Sequence, residues 1–172
     1  MQKSLRLVGA AALIGLGVWG WFIFFPSPEK VIRSRLNQLA GTLSFEPKDG
    51  IIARGYRADK AARFFTPDVE VSVDVRGMEP MVFSGREEIQ QRALGGARLL
   101  RGLKVEFLDI NVTLSPDKQT ATANLTAKWT ISGDREFNVQ EFNFKLKKVD
   151  GEWLIYRVET VKTLSQLILR AA

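Results

Sequence analysis

The chain opens on an unbroken apolar run: residues 7–25, LVGAAALIGLGVWGWFIFF, hold no charged side chain. As a helix, nineteen residues at ~1.5 Å rise cover roughly 28 Å, about one bilayer hydrocarbon core. Trp19, Trp21, Phe22, Phe24 and Phe25 gather at its C-terminal end, where aromatic rings sit at a membrane–water interface. The run predicts a transmembrane signal anchor at 7–25 behind a short tail at 1–6, with Trp19, Trp21, Phe24 and Phe25 as interfacial residues. A cleaved signal peptide is the competing reading, because Lys3 and Arg6 form a basic n-region and Gly15-Leu16-Gly17 imitates a small-residue cleavage site. The apolar run continues well past that site, which favours an uncleaved anchor.

After Pro26 the pattern becomes periodic, and residues 26–172 read as one domain. Ser27, Pro28 and Glu29 supply an N-cap, a proline at N1 and an early acid for a helix whose apolar stripe is Ile32, Leu36, Leu39 and Ala40. After a loop through Pro47 and Gly50, Tyr56, Ala58, Ala61, Ala62 and Phe65 predict a second helix ending before Thr66-Pro67-Asp68. Val69, Val71, Val73 and Val75 then alternate with polar residues as in a half-buried strand, returned by a turn at residues 76–80 into a short partner. Ser84 and Glu87 suit a capping box for a third helix, whose end Gly95-Gly96 blurs.

The remainder predicts four longer strands separated by Ser115-Pro116-Asp117, Ser132-Gly133-Asp134 and Asp150-Gly151, an antiparallel meander. In one of them Ala121, Ala123, Leu125, Ala127, Trp129 and Ile131 share a face opposite Thr120, Thr122, Asn124, Thr126, Lys128 and Thr130. Apolar parity changes at Phe107-Leu108 and again between Val139 and Phe142 across Gln140-Glu141, each change implying a bulge or bend. The fold class is therefore α+β: three helices packed on a bent antiparallel sheet of about six strands, with a concave side.

Composition narrows the chemistry. The chain has no cysteine and no histidine, which removes disulfides, thiolate and imidazole catalysis and the usual zinc sites, so an enzyme would have to be carboxylate-based. Neither a metal centre nor a cofactor is expected. Lys3 and Arg6 precede the apolar run, leaving 23 basic and 19 acidic residues in the domain, a mild surplus that suits anionic lipid better than nucleic acid. The ligand-pocket candidates are Asp74, Trp129, Gln140, Phe142 and Tyr156, with plain core packing as the alternative for the aromatic members.

The order helix, helix, short hairpin, helix, four long bent strands resembles the nuclear transport factor 2-like superfamily, also called SnoaL-like or cystatin-like α+β, over residues 29 to about 163. The resemblance is carried by Ala61-Ala62-Arg63-Phe64-Phe65-Thr66-Pro67-Asp68-Val69, by Phe83-Ser84-Gly85-Arg86-Glu87-Glu88-Ile89 and by Asp150-Gly151-Glu152-Trp153. It implies a cone-shaped domain. In the family's ketosteroid isomerases an Asp base lies near the end of the first strand, and Asp74-Val75-Arg76-Gly77-Met78-Glu79-Pro80 resembles that stretch. Their oxyanion-hole tyrosine has no counterpart between residues 29 and 42, and the position of their neutral Asp falls near Gln140. Losing one oxyanion donor typically costs about 10² to 10³ in rate, so that chemistry is not expected here.

A short tail, one span and an exported domain also resemble bitopic assembly subunits of type IV secretion machines and proteins associated with mammalian-cell-entry transporters. The expected function is a non-catalytic, membrane-tethered scaffold or binding domain in an envelope-associated complex. The alternative is a small-molecule binder or carboxylate-based isomerase or lyase with its pocket inside the bent sheet. Expected partners are the lipid bilayer, other envelope proteins and a second copy in a weak homodimer, with the chain in a bacterial inner membrane and its domain in the periplasm. Leu164, Leu167, Ile168 and Leu169 continue an apolar stripe past the last strand.

Overall fold

The computed structural model describes residues 27–74 and 79–161. The anchor expected at 7–25, the turn at 75–78 and the stripe at 164–169 lie outside the described residues. Among the described residues no helix is long and apolar enough to cross a membrane. The elements run α1 (Pro28–Leu43), α2 (Ile51–Ala62), β1 (Phe65–Val73), β2 (Met81–Ser84), α3 (Arg86–Leu99), β3 (Leu103–Leu114), β4 (Thr120–Ile131), β5 (Asn138–Val149) and β6 (Glu152–Thr160).

The strands form one sheet in the order β2-β1-β6-β5-β4-β3. The sheet is mixed rather than wholly antiparallel, because β6 runs parallel to β1. Each hairpin turn fixes the direction of its own two strands, as expected from its residues. The β1–β6 pairing joins strands distant in sequence, and no turn records its sense.

One core holds the helices to the sheet. Ile32, Leu36 and Leu39 of α1 are essentially inaccessible and belong to the same cluster as Ala121, Ala123, Leu125 and Ala127 of β4. The small side chains of β4 therefore lie inside the packed core. Ser44 secures the far end of α1: its hydroxyl donates to the Ala40 carbonyl at 2.9 Å and accepts the Val105 amide of β3 at 2.9 Å. Phe45 and Leu103 add a two-way backbone bridge.

The expected break at Phe107-Leu108 is a bulge placed slightly later. Leu108 pairs with Thr126 and Asn111 with Asn124, so Asp109 and Ile110 face one residue of β4, and Asp109 takes a positive φ of 51°. The break expected at Gln140-Glu141 is absent. β4 and β5 stay in register from Thr120↔Lys147 to Trp129↔Asn138, and the parity conflict is resolved by leaving Val139 half-exposed on the outer side. The bend falls instead in β6, where Leu146 pairs with Ile155 but Lys145 with Arg157, so that Tyr156 is the extra residue.

The third helix also departs from expectation at both ends. Its N-cap is Gly85, at φ 89°, and Glu88 rather than Glu87 reaches back, its carboxylate accepting the Ser84 amide at 3.1 Å. At the other end α3 runs straight through Gly95 and Gly96, and a Cβ at either would meet no atom within 4 Å. Glycine inside a helix costs roughly 0.5–1 kcal/mol relative to alanine. Gly95→Ala and Gly96→Ala are each expected to stabilise the protein by about that amount in urea unfolding; a loss of stability would show that the space beside α3 is used.

Candidate functional site

The concave side of the sheet ends, near the β4–β5 turn, in a half-buried aromatic lining. Phe107 meets Phe144 edge-on at a centroid distance of 5.7 Å, and Phe142 meets Phe144 at 6.0 Å. Trp129, Phe107, Phe142 and Phe83 pack against the core while keeping part of their surface accessible. Register places Gln140 opposite Ala127 and Phe142 opposite Leu125, so both share the face of these buried residues, with Trp129 diagonal to Gln140. Three candidates from the sequence, Trp129, Gln140 and Phe142, are thus brought together.

Two others are not. Tyr156, displaced by its bulge, lies beside Lys147, whose Nζ is 5.8 Å from the ring centroid. Lys147 shares the outer side of β5 with Asn143, whose amide donates to Asn124 of β4 at 2.8 Å. Tyr156 is therefore outside the concave lining, and the cause is the extra residue that β6 carries. Asp74 follows β1, where Val69, Val71 and Val73 face the core, and the alternation assigns it to the side of Glu70 and Ser72. Its backbone amide is tied to this end of the sheet by the Thr160 hydroxyl, which accepts it at 3.0 Å.

The Gln140 amide at the lining is already engaged: Nε2 donates to the carbonyls of Val161 and Glu141, each at 3.1 Å. Beside Phe83, the Arg92 guanidinium sits 4.7 Å from the ring centroid and pairs with Glu88 at 2.8 Å. The Arg92 hydrogen bond, with the Ser84 amide behind it, holds the Glu88 carboxyl below its ordinary range. Among the described residues no group of three or more acidic side chains is placed to hold a metal ion.

A separate cavity of about 230 Å³ lies under α2 and α3, walled by Phe45, Ala58, Ala61, Ala97 and Leu103 and edged by arginines. It is smaller than the ~300–1,000 Å³ usual for ligand sites. Arg54 closes it. This guanidinium donates to the carbonyls of Glu46, Pro47, Asp49, Ala97, Leu100 and Arg101 at 2.8–3.3 Å and stacks on Phe45 at 4.7 Å. Sequence reasoning missed it, although a signal was present: Arg54 stands four residues before Ala58 and seven before Ala61, on the buried stripe of its helix.

These features fit a known family. The family model for a SnoaL-like domain matches residues 52–159, more than half the chain. The chain belongs to the SnoaL-like domain family. Solved structures with the same fold include a cystatin-like domain of unknown function from Nostoc punctiforme PCC 73102, with TM-score 0.64, 17% identity and coverage of 86% of this chain and 85% of that one. Aln2 from a Streptomyces species aligns with TM-score 0.61 and 18% identity over 86% and 99% of the two chains. A nuclear transport factor 2-like protein of unknown function from Pseudomonas putida KT2440 aligns with TM-score 0.61 and 10% identity over 81% and 89%. At such identities the likeness speaks for the fold alone. No curated protein matches the chain.

Proposed function

We propose that this SnoaL-like domain is a non-catalytic binding module, tethered by residues 7–25 to a bacterial inner membrane, that helps assemble an envelope-associated complex from the periplasmic side. The observation that carries the non-catalytic part is the state of the concave lining. Where a SnoaL-like isomerase would need an acid, Gln140 spends its amide on two backbone carbonyls, and the strand alternation sends Asp74 to the other side. The half-buried rings favour one further possibility, a small apolar ligand stacked on Trp129 and Phe142.

Self-association through the outer side of the sheet belongs to the same reading. Over β1, β6 and β5 that side carries an ion-pair chain in which Arg157 meets Glu70 at 3.3 Å and Glu159 at 2.8 Å, while Lys145 meets Glu159 at 3.5 Å. Toward β3 it becomes apolar, with Leu108, Phe137 and Val139 between two-fifths and three-fifths exposed. Thr126 pairs in register with Leu108 on one side and Glu141 on the other, in the middle of this patch. Native electrophoresis of detergent-extracted membranes tests both halves. The unmodified chain and Gln140→Leu should migrate as a species larger than the 19.3 kDa monomer, and Thr126→Arg should shift it toward monomer. Assembly lost with Gln140→Leu and kept with Thr126→Arg would return the function to the concave side.

A further inference from the structure

The helical side of the domain carries a second surface that the reading above leaves unused. The outward faces of α1 and α2 are joined by two shallow grooves that share Gln38, one lined by Lys30, Arg33, Ser34 and Asn37, the other by Gly41, Ala53, Tyr56, Arg57 and Lys60 among others. Their linings together hold four bases and no acid. The domain's whole surplus is 23 bases over 19 acids, so a charge equal to that surplus is concentrated on one face. Arg57 is partly spent on the Ser44 carbonyl and on Asp49, but Lys30, Arg33 and Lys60 are exposed. Beside them Ile52, 87% exposed, and Tyr56, 68% exposed, stand one turn apart on α2.

Chain geometry points this face at lipid. The apolar run ends at Phe25 and α1 begins at Pro28, so the three residue steps between them span at most about 10 Å. Ser27 is extended, at φ −57° and ψ 145°, which breaks any continuous helix through this point and lets α1 turn away from the direction of the run. A helix starting that close to a membrane and lying along it would bring Lys30, Arg33 and Lys60 to headgroup depth, with Ile52 and Tyr56 at the acyl boundary.

Resting on the tether at 7–25, we infer that the α1–α2 face docks flat on the anionic surface of the bilayer that anchors the chain. The occupant is lipid, recognised by basic charge around two exposed apolar side chains. Absence of cysteine makes the test clean, since Ile52→Cys or Tyr56→Cys can carry a single environment-sensitive fluorophore on the full chain in lipid nanodiscs. Val82→Cys, another exposed apolar position but on β2, at the edge of the sheet opposite β3, is the control. Labels at 52 and 56 should shift to the blue in discs containing phosphatidylglycerol, lose the shift in high salt and show none in purely zwitterionic discs, with position 82 unchanged throughout. The triple change Lys30→Glu, Arg33→Glu and Lys60→Glu, all at exposed positions, should abolish the shift while leaving the circular dichroism and melting transition in place. Labels at 52 and 56 that report water in both lipids, or that shift equally in both, would overturn the docking. A chain that does not enter the discs at all would overturn the tether, a separate result read from the same preparation.

Discussion

Replacing Arg54 with methionine is expected to destabilise the domain by about 3 kcal/mol, measured by urea unfolding. Methionine keeps most of the side-chain volume, so the loss reports the donors. Three of the six carbonyls that Arg54 binds, from Ala97, Leu100 and Arg101, belong to the end of α3 and its exit, where helix carbonyls lack partners of their own. The others hold residues 46–49 against the start of α2. Hydrogen bonds from a charged donor contribute about 1.5–3 kcal/mol, and an unsatisfied buried acceptor costs about 1–3 kcal/mol. Several of these carbonyls regain water once the side chain is gone, so the total falls well short of the sum. Arg54→Lys should recover less than half, because a point ammonium cannot fork to both ends of the cavity. A loss below about 1 kcal/mol for methionine would mean that the loop and α3 hold their positions without this residue.

Leu36→Ala is expected to cost about 3 kcal/mol, within the range of buried leucine truncations that leave a partly relaxed cavity. Leu36 is 1% exposed on α1, in the cluster that joins this helix to β4, so the change loosens the element nearest the proposed tether. Val31, on the same helix but 38% exposed, supplies the contrast, and Val31→Ala should stay within about 0.5 kcal/mol. Equal effects at the two positions would contradict the packing of α1 in the core it shares with β4.

Periodicity made most of the fold legible. The alternation in β4 was right at every buried position, since Ala121, Ala123, Leu125 and Ala127 are all inaccessible. The Phe107-Leu108 break announced a real bulge, although the apolar pattern could not say that Asp109 would be the residue to take a positive φ. What failed were conclusions that needed distant partners. Phe65 looked like the end of α2 by spacing, yet it starts β1, because Ile155 of β6 is there to donate to Phe64 and pair with Phe65. Val139 looked like evidence for a second bulge and is instead an exposed valine on a straight strand. Half of the candidate lining was legible for the same reason: Trp129, Gln140 and Phe142 follow from parity in unbroken strands, whereas Tyr156 sits where β6 carries an extra residue that only its pairing with β5 reveals.

Whether the proposed N-terminal segment holds this SnoaL-like domain to a membrane is decided by extracting membranes that contain the full chain with high salt and then alkaline carbonate, and reading the N-terminus of whatever remains. A spanning helix survives both washes, whereas attachment through bases worth about 1 kcal/mol each survives neither. Full-length protein with residues 7–25 intact is expected in the pellet. Release into the supernatant, or a mature N-terminus beyond residue 15, would contradict it.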